Sequence, residues 1–348
     1  VTDAELLAKR TVSLVSPEAA PTGRPSSEPA VGFVGAGNYA RRILIPAFKK
    51  TGVRLETVAS SGGVSAVHAG RTFGFRRATT SAADLIADSG INVVVIASPH
   101  DQHARQACDA LRAGKHVFVE KPLATTRDDL RALEEAHASS RSQSAPPLLV
   151  VGFNRRFAPH TQRIKHLIQG LSEPKAFVMT VNAGRVPEDH WVQDPSVGGG
   201  RIVGEACHFI DLLRYLAGQP IVSTHTVSLR SKRASPVPPD NVSFTLSFAD
   251  GSVGTVHYLA DGHRAFPKER LEVFCAGRII QLDNFRRMRV FGWRGLRRMN
   301  LWKQDKGQAH CVAAFIHAVR SGGPSPTPFE EMTEVTRVSF DVAEAAEG

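Results

Sequence analysis

The chain has 348 residues, 42% hydrophobic and 22% charged, which is enough for two domains with cores of ordinary proportions. It contains no apolar run of about eighteen residues and no basic-apolar-small leader pattern, so a cytoplasmic location is the default expectation and a membrane-spanning helix is not. The formal net charge of +10 favours acidic partners, while Cys108, Cys207, Cys275 and Cys311 stand apart with no CxxC pair, so neither a metal site nor a disulfide framework is expected.

Residues 1 to 29, with SPEAAPTGRPSSEPA, read as a linker or tail. The stretch VGFVGAGNYA from Val31 to Ala40 follows: an apolar strand end, then Gly35, Gly37 and Ala40 before a helical pattern. Gly35 permits the tight turn, Gly37 has no Cβ to keep a pyrophosphate off the backbone, and Ala40 allows helix to pack closely on strand. Gly35, Gly37, Asn38, Tyr39 and Ala40 are therefore candidate cofactor ligands, with the first helical turn offering its unpaired N–H groups to phosphate. The bland alternative is a strand-to-helix turn in some other α/β protein.

Arg54 to Ser60 reads as the second strand, and at its end, where a dinucleotide fold places an acid on the adenine ribose, the chain runs Ser60, Ser61, Gly62, Gly63. Two hydroxyls and no carboxylate, with Arg71 one helix later, lean toward NADP; an NAD site using backbone and serine contacts is the alternative. Ile91 to Ala97 is an unbroken apolar run, as expected of a central parallel strand covered on both faces. Ser98, Pro99 and His100 follow at its carboxyl end, where such sheets bind ligands, and His103 and Gln106 lie on the next helix. His116 to Val119 is another strand, running into Glu120, Lys121 and Pro122, which places an ammonium over the cofactor crevice; a surface ion pair at a strand end is the competing reading. A helix from Thr126 to Ala138, a polar connector and a strand from Leu148 to Val151 complete a first domain over residues 30 to 151.

From 152 to 348 the pattern changes. GFNRRF brings Asn154, Arg155 and Arg156 just past the boundary, before a helix from about Pro159 to Gln169 and a strand from Ala176 to Asn182. A long loop carries Asp189, His190 and Trp191. Gly198 to Asp211, GGGRIVGEACHFID, reads as a glycine-rich loop entering a helix with Glu205, His208 and Asp211 at spacings of three, so that two carboxylates could orient a histidine suited to acid–base work. A half-buried helix with ordinary salt bridges fits the same spacing. Asn241 to Phe248 and Ser252 to Leu259 alternate around Ala249, Asp250 and Gly251 as a hairpin. Arg286, Arg287, Arg289, Arg294, Arg297 and Arg298 interleave with Phe285, Phe291, Trp293 and Leu296; a hairpin with a buried aromatic face and a solvated arginine face is preferred over a nucleic-acid surface. Two helices, near Gln308 to Ser321 and Phe329 to Ala346, end the chain. The expected fold class is α/β, a doubly wound parallel Rossmann sheet followed by an α+β domain with a large, mostly antiparallel open sheet.

The glycine fingerprint, the Glu120-Lys121-Pro122 triplet, GFNRRF and the GGG helix with His208 together resemble the Gfo/Idh/MocA family of NAD(P)-dependent oxidoreductases, over nearly the whole chain after residue 30. That resemblance implies a substrate domain that usually builds homodimers or homotetramers, and sugar, inositol or nucleotide-sugar substrates. By it, Lys121 contacts the reacting hydroxyl and the nicotinamide region and His208 accepts or donates the proton; Asn154, Asp189, His190, Trp191, Glu205 and His208 are further candidate substrate residues. Arg155 and Arg156 would suit an anionic or nucleotide-linked sugar, and are equally compatible with a solvated surface. The family's aspartate four positions before the histidine is Gly204 here, so either Glu205 takes its role or Lys121 and His208 act alone. The segment from NAGRVPEDHW onward also resembles the C-terminal half of bidomain oxidoreductases, in which residues 1 to 29 would be a connecting piece. The implied reaction is hydride transfer between nicotinamide and a secondary alcohol. A non-catalytic dinucleotide sensor, and a lyase or hydrolase with transient oxidation by held NAD, are the other readings.

Overall fold

A computed structural model describes residues 10–15, 28–143, 145–229 and 239–348. Its contacts divide into two units. The first holds seven strands: β1 (Thr11–Ser13), β2 (Ala30–Val34), β3 (Arg54–Ala59), β4 (Arg77–Thr79), β5 (Val93–Ile96), β6 (His116–Val119) and β7 (Leu149–Val151). They lie in the order β1-β4-β3-β2-β5-β6-β7, parallel except for β1 against β4. Beyond the added β1 this is the doubly wound order, which reverses between β2 and β5, the place where such sheets take ligands. β2 and β5 are buried at every residue, because helices cover both faces and leave no solvated side to alternate toward.

Part of the expected tail is thus ordered structure. Thr11 and Val12 are β-branched and pair with Thr79 and Ala78, and Leu14 packs against Gly70, which fastens Thr11–Ser13 to the sheet edge. The rest of the 1 to 29 reading lies mostly outside the described residues. Helices α1 (Ile45–Lys50), α2 (Val64–Phe73), α3 (Ala82–Ala87), α4 (His103–Arg112) and α5 (Arg127–Ser140) connect these strands. A later helix, α8 (Gln308–Ser321), gives most of its length to this first unit, which takes in Cys311–Phe329. Sequence alone placed it with the second domain. Phe315 sits 5.7 Å from Phe118 and 6.4 Å from Phe48, so the aromatic core of the first unit is completed from far down the chain.

The second unit is built on β8 (Ala176–Asn182), β9 (Ile221–Ser228), β10 (Val242–Phe248), β11 (Val253–Leu259), β12 (Glu269–Cys275), β13 (Arg278–Asp283), β14 (Arg287–Phe291) and β15 (Arg298–Asn300). Among the described residues they form one sheet, β15-β14-β13-β12-β8-β11-β10-β9, antiparallel throughout except for β8 beside β11. Burial alternates residue by residue along β8 and β10, the signature of a sheet with one covered face. Helix α7 (Cys207–Ala217) packs there, with Leu213 over Gly254; α6 (Pro159–Ile168) and α9 (Phe329–Glu347) complete the helices. The arginine-rich hairpin is β14 with β15. Its buried side is Met288 and Val290, with Phe285 beneath, while Phe291 is exposed on the arginine side, so the aromatic face expected from sequence is only partly buried. No helix among the described residues is long and apolar enough to cross a membrane.

Candidate active site

In the first unit the candidate residues lie along the carboxyl edge of the parallel sheet. Gly35 takes φ of +106°, and a Cβ there would lie 2.3 Å from Ala97 O, so the turn after β2 requires glycine for both conformation and approach. At Gly37 a Cβ would meet nothing within 4 Å, which leaves the backbone open on the side where a pyrophosphate is expected. Ala40 is buried and opens the wide helical turn Ala40–Leu44 that leads into α1. Asn38 accepts from Arg41 at 3.0 Å, and Tyr39, 41% exposed, hydrogen bonds the Glu120 carboxyl. The loop therefore fits a dinucleotide: an open glycine, a small packed residue and a helix start, with no acidic side chain among residues 35 to 40.

At the end of β3, Ser60 Oγ lies 2.7 Å from Ser65 Oγ and Ser61 is exposed. Arg71 is in the last turn of α2, roughly 10 Å of helix rise from its first residue, farther from the Ser60 turn than sequence order suggests. At the end of β5, Ser98 donates its hydroxyl to Gln106 at 2.8 Å, and Pro99 is exposed. His100 is buried with its ring 5.6 Å from that of His103. His103, expected among the cofactor ligands, is instead 1% exposed with both ring nitrogens on backbone carbonyls. Both ring nitrogens are thus engaged within the unit.

Glu120, Lys121 and Pro122 follow β6, with Lys121 half-buried between a buried glutamate and a buried proline whose connecting peptide is cis. Gly152 packs on the Glu120 carboxyl, where an added Cβ would lie 2.8 Å from Oε1. Burial pushes the Glu120 carboxyl up to about 7, against the opposing pull of the Lys121 charge and the Tyr39 hydrogen bond. The structure thus joins Tyr39 of the glycine loop to Glu120 beside Lys121, a contact the spacing of 81 residues did not announce.

The remaining candidate residues belong to the second unit. Gly198 lies against the Val192 backbone, where a Cβ would come within 2.5 Å of its Cα and O, and Gly199 and Gly200 take φ of +72° and +73°. Asp189, His190 and Trp191 are exposed on the preceding loop, with the His190 ring stacked beside Trp191 at 5.8 Å and accepting from Val192 N. Ile202–Ala206 is a π turn, closed by Cys207 N–H on Ile202 O, that runs into α7. This wider turn alters the i,i+3 step that spacing implied from Glu205 to His208, while His208 and Asp211 keep theirs within α7.

Each carboxylate is committed elsewhere. Glu205 accepts from Tyr258 Oη at 2.6 Å, Lys268 Nζ at 2.9 Å and Arg201 Nη2 at 2.9 Å. Burial favours its neutral form, but the Lys268 charge and the three donors outweigh burial and hold it well below the usual carboxylate range. A carboxylate so fixed is a poor proton carrier, which counts against the catalytic role considered for Glu205. Asp211 is fully buried against Arg156, Oδ1 to Nη2 at 2.5 Å and Oδ2 to Nε at 3.1 Å. His208 is 6% exposed and meets Phe153 edge-on at 6.2 Å.

Arg155 and Arg156, expected at an anionic substrate, are framework residues. Arg155 grips both Glu269 oxygens at 2.8 and 2.9 Å, with Lys306 Nζ on the same carboxylate at 2.7 Å, and lies over the Phe209 ring. Arg156 holds Asp211 and Glu331. Unpaired, such buried cations would be too costly to keep. Asn154 is buried too and donates to Lys306 O at 2.6 Å. Sequence reasoning missed Arg201, Tyr258 and Lys268. Tyr258 carried a signal: a tyrosine on the buried face of an alternating strand needs a polar partner.

The model described as oxidoreductase family, NAD-binding Rossmann fold matches residues 30–145, and the GFO/IDH/MocA C-terminal domain model matches residues 161–281. The uncharacterized oxidoreductase YrbE of Bacillus subtilis is 29% identical over 60% of this chain and 60% of its own length. Levoglucosan dehydrogenase of Pseudarthrobacter phenanthrenivorans is 28% identical over 67% of this chain and 66% of its own. Myo-inositol 2-dehydrogenase of Thermotoga maritima is 25% identical over 74% and 78%. The alignments thus span less than two thirds of the length of the first two. A solved structure of levoglucosan dehydrogenase in complex with NADH and levoglucosan superposes with a TM-score of 0.79 over 92% of this chain and 97% of that one, at 24% identity, a likeness of fold.

Proposed function

Because the chain belongs to the Gfo/Idh/MocA family of oxidoreductases, we propose that it transfers a hydride between a nicotinamide cofactor and a secondary alcohol of a sugar, inositol or nucleotide sugar. The observation that carries the reading is Lys121, held half-buried at the carboxyl end of β6, on the same sheet edge as the open backbone at Gly37. The relatives named for levoglucosan and myo-inositol support the polyol class.

The nicotinamide, when bound, supplies or takes the hydride. The residues of the chain manage charge and one proton. Lys121 stabilises the oxygen of the reacting carbinol as negative charge grows there, and His208 exchanges the hydroxyl proton at a ring nitrogen. Glu205 fixes the local framework as a permanent anion. Two serine hydroxyls and no acid after β3 support NADP as the preferred cofactor, since a carboxylate there would repel a 2'-phosphate.

A second reading, a dinucleotide-binding sensor without chemistry, is favoured by one feature: Gly204 stands where the family pattern has aspartate, and the Glu205 carboxylate beside it is held by Tyr258, Lys268 and Arg201. Calorimetric titration of cofactor-stripped protein with NADH and NADPH, followed by absorbance of the reduced nicotinamide over a panel of sugars and inositols, separates them. Substrate-dependent absorbance change establishes the dehydrogenase. Binding with no redox change overturns it in favour of the sensor, or of held-NAD chemistry if a substrate is nonetheless consumed. Tighter NADPH than NADH supports the cofactor preference; the reverse removes it.

A further inference from the structure

His103 opens α4 at 1% exposure. Its Nδ1 lies 2.7 Å from Pro122 O and its Nε2 2.9 Å from Ser98 O. Both oxygens can only accept. A neutral imidazole carries one N–H and so serves one of the two; the other contact is a lone pair facing a carbonyl. Burial pushes the ring toward the neutral form, ahead of the opposing influence of the two carbonyls. Nδ1 makes the shorter of the two contacts and is taken as the donor. The Ser98 turn does not depend on this ring, because the Ser98 hydroxyl is tied to Gln106 and Ala97 N–H is tied to Val34 O.

We infer that His103 is a positioning residue for Lys121: its Nδ1–H fixes the Pro122 carbonyl, and with it the turn that aims the Lys121 ammonium from the mouth of β6. The inference deepens, and rests on, the assignment of Lys121 to the reacting oxygen. Pro122 and Leu123 are both buried, so the turn is packed on one side and leaves Lys121 as its half-exposed member. A turn with one face packed still has freedom to rotate its peptide planes, and a hydrogen bond to the carbonyl removes it. Misplacing a catalytic group by about 1 Å costs on the order of a hundredfold in rate, so even a small rotation is felt at the chemical step.

Two amide substitutions distinguish this role from simple packing. In His103→Asn the amide nitrogen stands two bonds from Cβ, where Nδ1 is, and reaches Pro122 O; in His103→Gln it stands in the place of Nε2 and reaches Ser98 O. The expectation is a kcat for His103→Gln lower by roughly tenfold or more, with His103→Asn recovering most of that loss and the Kd for NADH unchanged within about twofold in both. A readout independent of turnover is the 13C resonance of reductively dimethylated Lys121, assigned by its absence in Lys121→Arg: it shifts in His103→Gln and returns toward the wild-type position in His103→Asn. Equal effects of the two amides on kcat and on the resonance, with a common fall in Tm, overturn the inference and leave His103 a packing residue. If the wild type oxidises no polyol at all, the redox assignment has failed, and the resonance alone still decides whether His103 sets Lys121.

Discussion

Tyr258 donates to Glu205 Oε2 at 2.6 Å from the buried face of β11, completing a three-donor cage with Lys268 and Arg201. The cage turns a candidate proton carrier into a fixed anion, and it explains how Arg201, 2% exposed at its side chain, can stay charged inside the unit. Removing the anion leaves that cation without its main partner, which is the costly direction for a buried pair.

Glu205→Gln is therefore expected to lower stability by about 2 kcal/mol near neutral pH, measured by urea unfolding, while the pH–rate profile keeps its shape. The sign of the acid dependence follows from linkage. The Glu205 pKa is lower folded than unfolded, so its contribution is complete above the unfolded value near 4.5 and declines as pH falls below it. The gap between wild type and Glu205→Gln should narrow from about pH 6 toward about pH 3. A profile that loses a limb in Glu205→Gln would instead restore Glu205 as a proton carrier.

Gly35 and Gly37 should separate folding from binding. Gly35→Ala places Cβ 2.3 Å from a backbone oxygen at φ of +106°, with no flexible side chain to yield. A loss of about 3 kcal/mol or more is expected, seen as a large fall in Tm. Gly37→Ala meets nothing within 4 Å, so Tm should stay near that of the wild type. Its methyl would stand on the backbone proposed to receive the pyrophosphate, and the Kd for NADH should rise on the order of tenfold by calorimetry. Unchanged NADH affinity in Gly37→Ala would move the cofactor off this loop.

The elements that sequence disclosed are those whose cause is local. Gly35 and Gly37 announce themselves because a turn under a phosphate needs them, and β5 because a strand covered on both faces has no polar alternation to show. The hairpin of β10 and β11 was legible from two alternating runs around Asp250 and Gly251. What stayed hidden is set by partners distant in the chain. Arg155 and Arg156 looked like ligands for an anion because Glu269, Asp211 and Glu331 lie 114, 55 and 175 residues away. Glu205 looked aligned with His208 because i,i+3 spacing assumes an α-turn, and the π turn at Ile202–Ala206 changes that geometry. Strand β1 was lost in a proline-rich tail, since three residues carry no periodicity.

Glu120 predicts a dependence on pH of the opposite sense. Burial raises its carboxyl to about 7, so the folded state holds a proton that the unfolded chain gives up near 4.5. Its contribution is complete below the unfolded value, declines as pH climbs between the two, and stays lost above the folded one. Glu120→Gln, which keeps the shape without the ionisation, should flatten this decline, so that Tm of the variant gains on the wild type from about pH 5 to about pH 8. Parallel Tm curves for the two proteins would show that Glu120 is ionised in the folded state throughout.

Lys121 and His208 carry the proposed chemistry, and the loss of either should be felt in turnover. Lys121→Met removes the cation while keeping most of the side-chain volume, so kcat should fall on the order of a hundredfold, the usual scale for a lost acid–base or charge-stabilising group, with Kd for NADH little changed. His208→Asn keeps a polar side chain but no group that titrates near neutrality. With Glu205 fixed as an anion and Asp211 bound to Arg156, no carboxylate of that helix is free to take over its proton. The kcat/KM for alcohol oxidation should therefore fall on the order of a hundredfold, the usual scale for a lost acid–base group, while the Kd for NADH stays near that of the wild type. If His208→Asn keeps wild-type turnover, the proton is exchanged elsewhere and the assignment of His208 fails.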